Sequence, residues 1–484
     1  MNECSYKHEV MLVQQTPLIH FRYYEKDACL RPSELKPKLD RFIFDLFGGL
    51  AHLKQEHQEW FVGYHPKKGT QKDLKDALNY KMRVTVSDGE KKGFSKQFEN
   101  DLQRKADRDQ GMADAANTLG VSGDPGCGNI SKLYFGNMAS GRGTEWIAAA
   151  AKSYKETIFY EKPVKITLVC FVPELMGILR NVIADFFLMN NFGTRQNKGF
   201  GGFIVEEDTK KTAADIGDRM MQYSKQPVFC MSYNNVNIEK MFNDIATFYS
   251  LLKSGNNSRG EYHKAYIYKY YKGKFTNEKR WMKAEGVSPN IVTTDRKFKL
   301  EDVDDNNVRY LRAMLGLPGK LEHAQSTCYK KGRLCINPSD KKVINVKDPM
   351  AVKCSDRDKN TDAIQRFQSP LLFKVINNCV FIILKDIPKR MYAQRISFIP
   401  KEVDTEKIKD EELNSKYTIF TPSSDEFDLK QMLKDYVTEL NKLRNKNDLY
   451  RQGKINVIED SFGERYKSYS LPKIQTFERK ESEH

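Results

Sequence analysis

No apolar run in this 484-residue chain approaches the roughly 20 residues needed to cross a bilayer, so no transmembrane segment is expected. The opening stretch, MNECSYKHEVMLV, lacks the basic-then-apolar order of a secretory signal, and the expectation is a cytoplasmic protein. Close cysteine pairs are missing as well. The nine cysteines, at 4, 29, 127, 170, 230, 328, 335, 354 and 379, are odd in number and match no disulfide framework. Cys170 in ITLVCFV and Cys379 in NNCVFIIL sit inside apolar runs, where a free thiol acts as a small hydrophobe. His323, Cys328, Cys335 and Cys354 are the one group worth weighing as metal ligands, and their spacings fit no compact zinc pattern. Free thiols are therefore expected, with no metal and no other cofactor.

Nucleotide fingerprints are absent too. Gly123-Asp124-Pro125-Gly126-Cys127-Gly128 spaces its glycines like a phosphate loop, yet Asn129 and Ile130 stand where Lys and Ser/Thr are required. Without the lysine the phosphates lose their charge partner, and without the hydroxyl Mg²⁺ loses a ligand. The segment reads as a turn. There is no short-period repeat and no long low-complexity segment.

What the chain does contain is enough apolar material, 39% hydrophobic and 11% aromatic, for two or three cores. It also carries 80 Lys plus Arg against 64 acidic residues, a formal net charge of +16. A surplus of that size points to an anionic partner, either nucleic acid or an acidic surface, although many basic proteins bind no nucleic acid specifically.

The apolar stretch 9–20 reads as a strand, and a helix follows with Leu39, Phe42, Ile43, Leu46 and Phe47 at three- and four-residue steps. Ser33 is a candidate cap, Pro37 fits a first turn, and Gly48-Gly49 ends the helix. Residues 50–150 are polar and glycine-rich and read as an insertion of hairpins and loops. VKITLVCFV is a strand, Pro173 opens a helix through Met189, and a glycine-rich loop leads into a further strand. That order fits a ferredoxin-like βαββαβ domain over residues 1–210. HKAYIYKYYKGKF alternates like an exposed hairpin, and NNVRYLRAMLGLP is a short helix stopped by Gly316 and Pro318. LLFKVINNCVFIIL reads as two strands around an Asn377-Asn378 turn, followed by a helix with Phe427, Leu433, Val437, Leu440 and Leu443 aligned. Residues 211–470 are thus expected to hold a second, degenerate copy, and 471–484 a frayed tail. The fold class is α+β, with tandem ferredoxin-like (RRM-like) domains and long insertions.

Three segments carry possible chemistry. In the first, Thr16-Pro17-Leu18-Ile19-His20 and Leu30-Arg31-Pro32-Ser33-Glu34-Leu35-Lys36 place a strand edge beside a helix start rich in Arg31, Lys36, Lys38 and Arg41. Unpaired amides there suit a phosphate; equally, this is a capped amphipathic helix with solvated lysines. In the second, Gly193-Thr194-Arg195-Gln196-Asn197-Lys198-Gly199-Phe200-Gly201-Gly202-Phe203, glycines let amides turn toward an anion. Arg195 and Lys198 add charge and Phe200 a stacking face, while a purely structural glycine turn is the alternative. In the third, residues 262–283, seven Lys or Arg interleave with aromatic rings, a pattern that serves RNA contact or simply covers a core.

The TPL and LRPSELK stretches with NKGFGGF resemble the RAMP superfamily of CRISPR proteins. Arg366-Phe367-Gln368-Ser369-Pro370-Leu371 is similar to the R-x-x-SPL segment of the tandem-RAMP subunit that caps the type III-B (Cmr) effector complex, and NNVRYLRAMLGL adds support. The resemblance implies a non-catalytic RNA-binding subunit near the 3′ end of the guide, contacting guide RNA and complementary target RNA and docking to other RAMP subunits. It implicates Lys198, Gly199, Phe200, Gly201 and Gly202 as a loop against RNA, with Arg31, Lys36 and Arg41 matching the basic helix entry. Pro37 and Lys38 depart from the small residues usual there. The alternative is an RNA-cutting RAMP enzyme with His20, just past the opening strand, as general base. Its eight histidines are scattered, with no second acid-base group near His20; Asp27 and Asp124 are indistinguishable from solvated loop acids.

Overall fold

A computed structural model describes residues 6–18, 30–65, 74–86, 160, 162–224, 226–234, 238–258, 261–284, 307–317, 320–324, 327–330, 333–336, 341–347, 367–400, 418–467 and 469–479. Strand β1 (Lys7–Gln14) alternates cleanly: Val10, Leu12 and Gln14 are buried while Lys7, Glu9 and Met11 are exposed. It is followed by helix α1 (Pro32–Leu46), the short α2 (Leu50–Glu56), β2 (Lys81–Val86), β3 (Val164–Val169), α3 (Pro173–Met189) and β4 (Phe203–Val205). The four strands form one antiparallel sheet in the order β2-β3-β1-β4. With α1 and α3 as its helices, this is the ferredoxin-like connectivity. Leu35, Leu39 and Ile43 of α1 and Leu175, Leu179, Ile183 and Phe186 of α3 join Val10, Leu12, Ile166 and Leu168 in one core.

Two details of α1 differ from expectation. Its N-cap is Arg31, which makes no side-chain cap bond, and Pro32 takes the first turn, so Ser33 is not the cap. Pro37 lies inside the helix, where its missing N–H leaves the Ser33 carbonyl without an intrahelical partner. The end is as expected: Gly48 has φ +80°, and the Gly49 N–H donates to the Phe44 carbonyl at 2.8 Å.

The stretch expected as an insertion over 50–150 begins with structured core. Trp60, Phe61, Leu78 and Tyr80 are buried, and β2 is a strand of the first sheet. Residues 87–159, with the Gly123–Gly128 turn, lie outside the described residues.

After β4 come α4 (Ala213–Tyr223), closed by a Thr212–Asp215 capping box, then β5 (Val228–Ser232) and α5 (Ile238–Lys253). The second sheet orders its strands Leu371–Ile376, Cys379–Leu384, β5 and Ile474–Phe477. Counted along the chain, that order is second, third, first, fourth, the same as in the first sheet. A helix follows its first strand (α5) and another its third (Leu429–Arg451). The α+β class is borne out, and the repeated connectivity is consistent with tandem ferredoxin-like domains. Asn377, at φ +50°, makes the expected two-residue turn between the paired strands. The expected tail is different: Ile474–Phe477 is the fourth strand, and Phe477 packs against Gly217, where a Cβ would fall 2.7 Å from its ring.

The chain divides into two compact units. One comprises Met1–Ala246, Leu372–Ile383 and Pro472–His484, the other Thr247–Leu371 and Leu384–Leu471. In the second unit the segment expected as an exposed hairpin is a helical turn, Tyr266–Tyr270, and Tyr266, Tyr268 and Tyr271 are buried. These three rings cover a core and are not free to stack on bases. Lys269 is buried there with Asp460 at 2.6 Å and Glu464 at 2.7 Å. Leu311–Leu315 is a single 3₁₀ turn ended by Gly316 at φ +111°, and Lys253 Nζ caps its last carbonyls, Leu315 O at 3.1 Å and Gly316 O at 2.6 Å.

In the first unit Lys374, in the strand that follows the SPL segment, is fully buried. Its ammonium donates to Phe187 O at 2.7 Å, Asn190 O at 2.8 Å and Phe203 O at 2.9 Å, and burial holds its pKa well below the ordinary lysine range. Two of these carbonyls end α3 and the third belongs to β4. Replacing Lys374 with Met should leave all three without a donor. The expected outcome is a loss of roughly 3 kcal/mol in urea unfolding of the full chain. A change within about 0.5 kcal/mol, the scatter of surface substitutions, would show that the interaction is dispensable.

Candidate nucleic-acid interface

Helix α1 begins where the chain returns from the opening strand, and the glycine-rich loop begins where α3 ends. The fold brings these two segments together. Glu34 Oε1, in the first turn of α1, accepts the Gly193 N–H at 2.6 Å and Lys38 Nζ at 3.0 Å. Lys38 reaches on to Gln196 Oε1 at 2.8 Å and Asn191 O at 3.3 Å, and lies 5.0 Å from the Phe192 ring centre. From behind, the strand Leu371–Ile376 seats the loop: Asn191 Nδ2 donates to Phe373 O and to Gln196 O, both at 2.8 Å. The opening strand closes the other side, with Gly201 N–H on Pro17 O at 2.8 Å and Gly202 N–H on Thr16 Oγ1 at 2.7 Å.

These bonds decide what the loop offers. Its amides are engaged within the fold: besides Gly193, Gly201 and Gly202, the Lys198 N–H donates to Arg195 O at 2.8 Å and the Gly199 N–H to Gln196 O at 3.3 Å. An anion cradle of free amides, expected from the glycines, is therefore not formed. The glycines are there for close approach instead. At Gly201, with φ +68°, a Cβ would fall 1.9 Å from Phe192 O; Gly199, at φ +91°, is hemmed by Ile245 and Phe242. Phe200 is fully buried and stacked on Phe242 with ring centres 4.4 Å apart, so it offers no face to a base. Gly199, Phe200, Gly201 and Gly202 thus shape the loop from inside.

The charged half, residues 194–198, is half-buried and remains at the surface. Arg195 adopts the left-handed conformation, φ +56°. Lys198 lies close enough to Arg195 to feel its charge, and burial followed by that repulsion lowers its pKa to about 7. Arg31, at the N-cap of α1, and Arg41, further along it, are exposed. Lys36 differs from its expected role: its Nζ is bound to Asp40 Oδ2 and Leu78 O, both at 2.9 Å, and sits over the Tyr80 ring. It ties α1 to the chain before β2.

Arg31 and Arg41 are thus exposed on α1, Arg195 and Lys198 lie half-buried on the loop, and Lys38 ties the two segments together. Sequence reading missed Glu34, Gln196 and Asn191 as the links between the segments; the Glu34–Lys38 spacing of four was the visible signal. His20, Asp27 and Asp124 lie outside the described residues, as does Cys354. Cys328 and Cys335 are register partners across a hairpin. Cys170, Cys230 and Cys379 are free thiols, as expected. Among the described residues no helix is long and apolar enough to cross a membrane.

Comparison with known proteins gives two family matches. A family model described as the Cmr1 N-terminal domain matches residues 5–256, and one described as the Cmr1 C-terminal domain matches residues 262–460. Among solved structures, the crystal structure of Cmr1 from Pyrococcus furiosus in its apo form is similar, at 11% identity and a TM-score of 0.34, over 86% of this chain and 94% of that one. No curated protein matches.

Two outcomes follow from the loop. Gly201→Ala should destabilise the chain and disorder the loop, because a methyl group meets the Phe192 carbonyl and the backbone must hold a positive φ. A variant with wild-type melting temperature and wild-type limited proteolysis would refute this packing. Lys198, with a folded pKa near 7 against the ordinary 10.5, carries a charge penalty at and below neutrality. Above pH 7 the folded chain binds fewer protons than the unfolded chain, so this group raises stability as pH climbs toward about 10. Lys198→Met should flatten that rise in urea titrations, and an unchanged pH profile would contradict the assignment.

Proposed function

This chain belongs to the Cmr1 family of CRISPR RAMP proteins, a subunit of the type III-B Cmr complex, and on that premise we propose that it is a non-catalytic holder of guide and target RNA. The observation that carries the reading is the joining of the α1 start to the loop through Glu34 and Lys38, which holds the helix that bears Arg31 and Arg41 against the loop that bears Arg195 and Lys198. A polyanion that approaches this surface meets side-chain cations on a rigid frame of helix and sheet. Cations of this kind read phosphates and not base edges, so binding is independent of sequence and falls steeply with salt. RNA contact near the 3′ end of the guide, docking to other RAMP subunits of the complex and work in the cytoplasm complete the reading. The net charge of +16 agrees with it.

Lys198 suits a binding role in a second way. A phosphate placed beside it would favour the charged form and draw its pKa back up, so binding above neutral pH would take up a proton. Arg195→Ala with Lys198→Ala is expected to weaken binding of labelled RNAs by similar factors whatever their sequence. The salt slope for single strands should fall by about 0.7 for each phosphate that no longer meets a cation. Affinity and slope equal to wild type would remove this surface from the RNA path. The same RNAs, incubated with wild-type chain and with His20→Ala, should remain intact in both; specific cuts by the wild type that vanish in the variant would establish the nuclease alternative instead.

A further inference from the structure

The first sheet has a second face. α1 and α3 cover one side, where Val10, Leu12, Val164, Ile166 and Leu168 are buried. Alternation puts every other residue of β1, β2 and β3 on the opposite side. There the register aligns Lys81, Val169 and Lys7 in one row across the strands, Arg83, Thr167 and Glu9 in the next, and Thr85, Lys165 and Met11 in the third. Lys7, Glu9, Met11, Lys81 and Arg83 are exposed. β4 does not share this openness, since Phe203, Ile204 and Val205 are all buried.

Charge on this face is one-sided. Lys7, Lys81, Arg83 and Lys165 stand against the single carboxylate of Glu9, which pairs with Lys7 at 2.7 Å and Lys165 at 3.5 Å. At the end of the two central strands lie two aromatic rings: Phe171, just after β3, keeps the parity of Thr167 and Val169 on the open face, and Tyr6, just before β1 and outside its alternation, meets it. Phe171 is 75% and Tyr6 44% exposed, with ring centres 5.5 Å apart and planes inclined by 43°. An exposed phenylalanine beside an exposed tyrosine leaves apolar surface that no other described segment covers, which marks a place for a partner.

We propose that this open face binds a single-stranded segment of RNA, with phosphates along Lys81, Arg83, Lys165 and Lys7 and bases stacked on Tyr6 and Phe171. The inference rests on the RNA-holding reading and adds to it a second binding surface, on the sheet face turned away from α1. Cations beside exposed rings on an antiparallel sheet combine the two attractions that unpaired nucleotides satisfy together. An acidic protein patch would answer the cations but leave the rings without planar partners. A duplex hides its base faces and would gain nothing from them.

The test uses the full chain with a short labelled oligouridine and with an RNA duplex of equal length, followed by fluorescence anisotropy. Tyr6→Ala with Phe171→Ala should raise the Kd for the single strand about tenfold or more and leave the duplex unchanged. Because both rings are exposed, the melting temperature should hold. Lys81→Gln with Arg83→Gln should lower the single-strand salt slope by about 0.7 for each cation removed. Ultraviolet crosslinks should map to peptides containing Tyr6 or Phe171. If the wild type binds the single strand and the aromatic double variant binds it equally well, this face is excluded while the RNA-holding reading stands. Wild-type chain that binds no RNA overturns both. Unchanged RNA affinity with failed assembly onto partner subunits assigns the face to protein docking and overturns the proposal.

Discussion

A single buried ammonium group governs the geometry of the loop that faces α1. Lys374 has three N–H donors, and the chain supplies three carbonyls: Phe187 and Asn190 at the end of α3, and Phe203 at the start of β4. The last carbonyls of a helix have no partner within it and form the negative end of its dipole, so a cation there answers both needs. Burial works against the charge, as the lowered pKa records. Full saturation by carbonyls is what makes the site tolerable. The loop from Asn191 to Gly202 starts and ends beside these carbonyls, so its conformation depends on a residue nearly two hundred positions away in sequence.

The same economy extends to the other cations. Lys36 binds Asp40 and the Leu78 carbonyl, Lys253 caps Leu315 and Gly316, Lys269 pairs with Asp460 and Glu464, and Arg219 joins Asp185 and Asp208. These cations hold the fold together. The cations proposed for RNA contact are different groups: Arg31 and Arg41 on α1, Arg195 and Lys198 on the loop, and Lys81 and Arg83 on the sheet face. Net charge alone ranks these groups equally, and position separates them.

Glycine played a different part from the one its sequence context advertised. In NKGFGG the backbone freedom serves close packing: Gly201 lies against the Phe192 backbone and Gly199 against Ile245 and Phe242. The loop amides bond inward, so the surface chemistry passes to Arg195 and Lys198. Phe200 follows the same rule, since a ring flanked by glycines is drawn into the nearest apolar pocket, here against Phe242. Two exposed rings in contact do occur in this unit, Tyr6 and Phe171, single residues at strand ends that carry no local motif.

The sequence by itself determined the elements whose signal is local. The opening strand, found at Lys7–Gln14 where 9–20 was expected, the run VKITLV, the helix opened by Pro173, the Asn377 turn and the glycine end of α1 follow from side-chain pattern and backbone preference. The RAMP resemblance was legible too, in the LRPSELK and NKGFGGF stretches. Tertiary structure alone decided that residues 81–86 and 474–477 complete two sheets, because a short edge strand acquires its identity from the partner it pairs with. It also decided which lysines are buried and which face water. A lysine looks the same in sequence whether its donors meet solvent or three carbonyls, and the difference is made by chain segments nearly two hundred residues apart converging on one point.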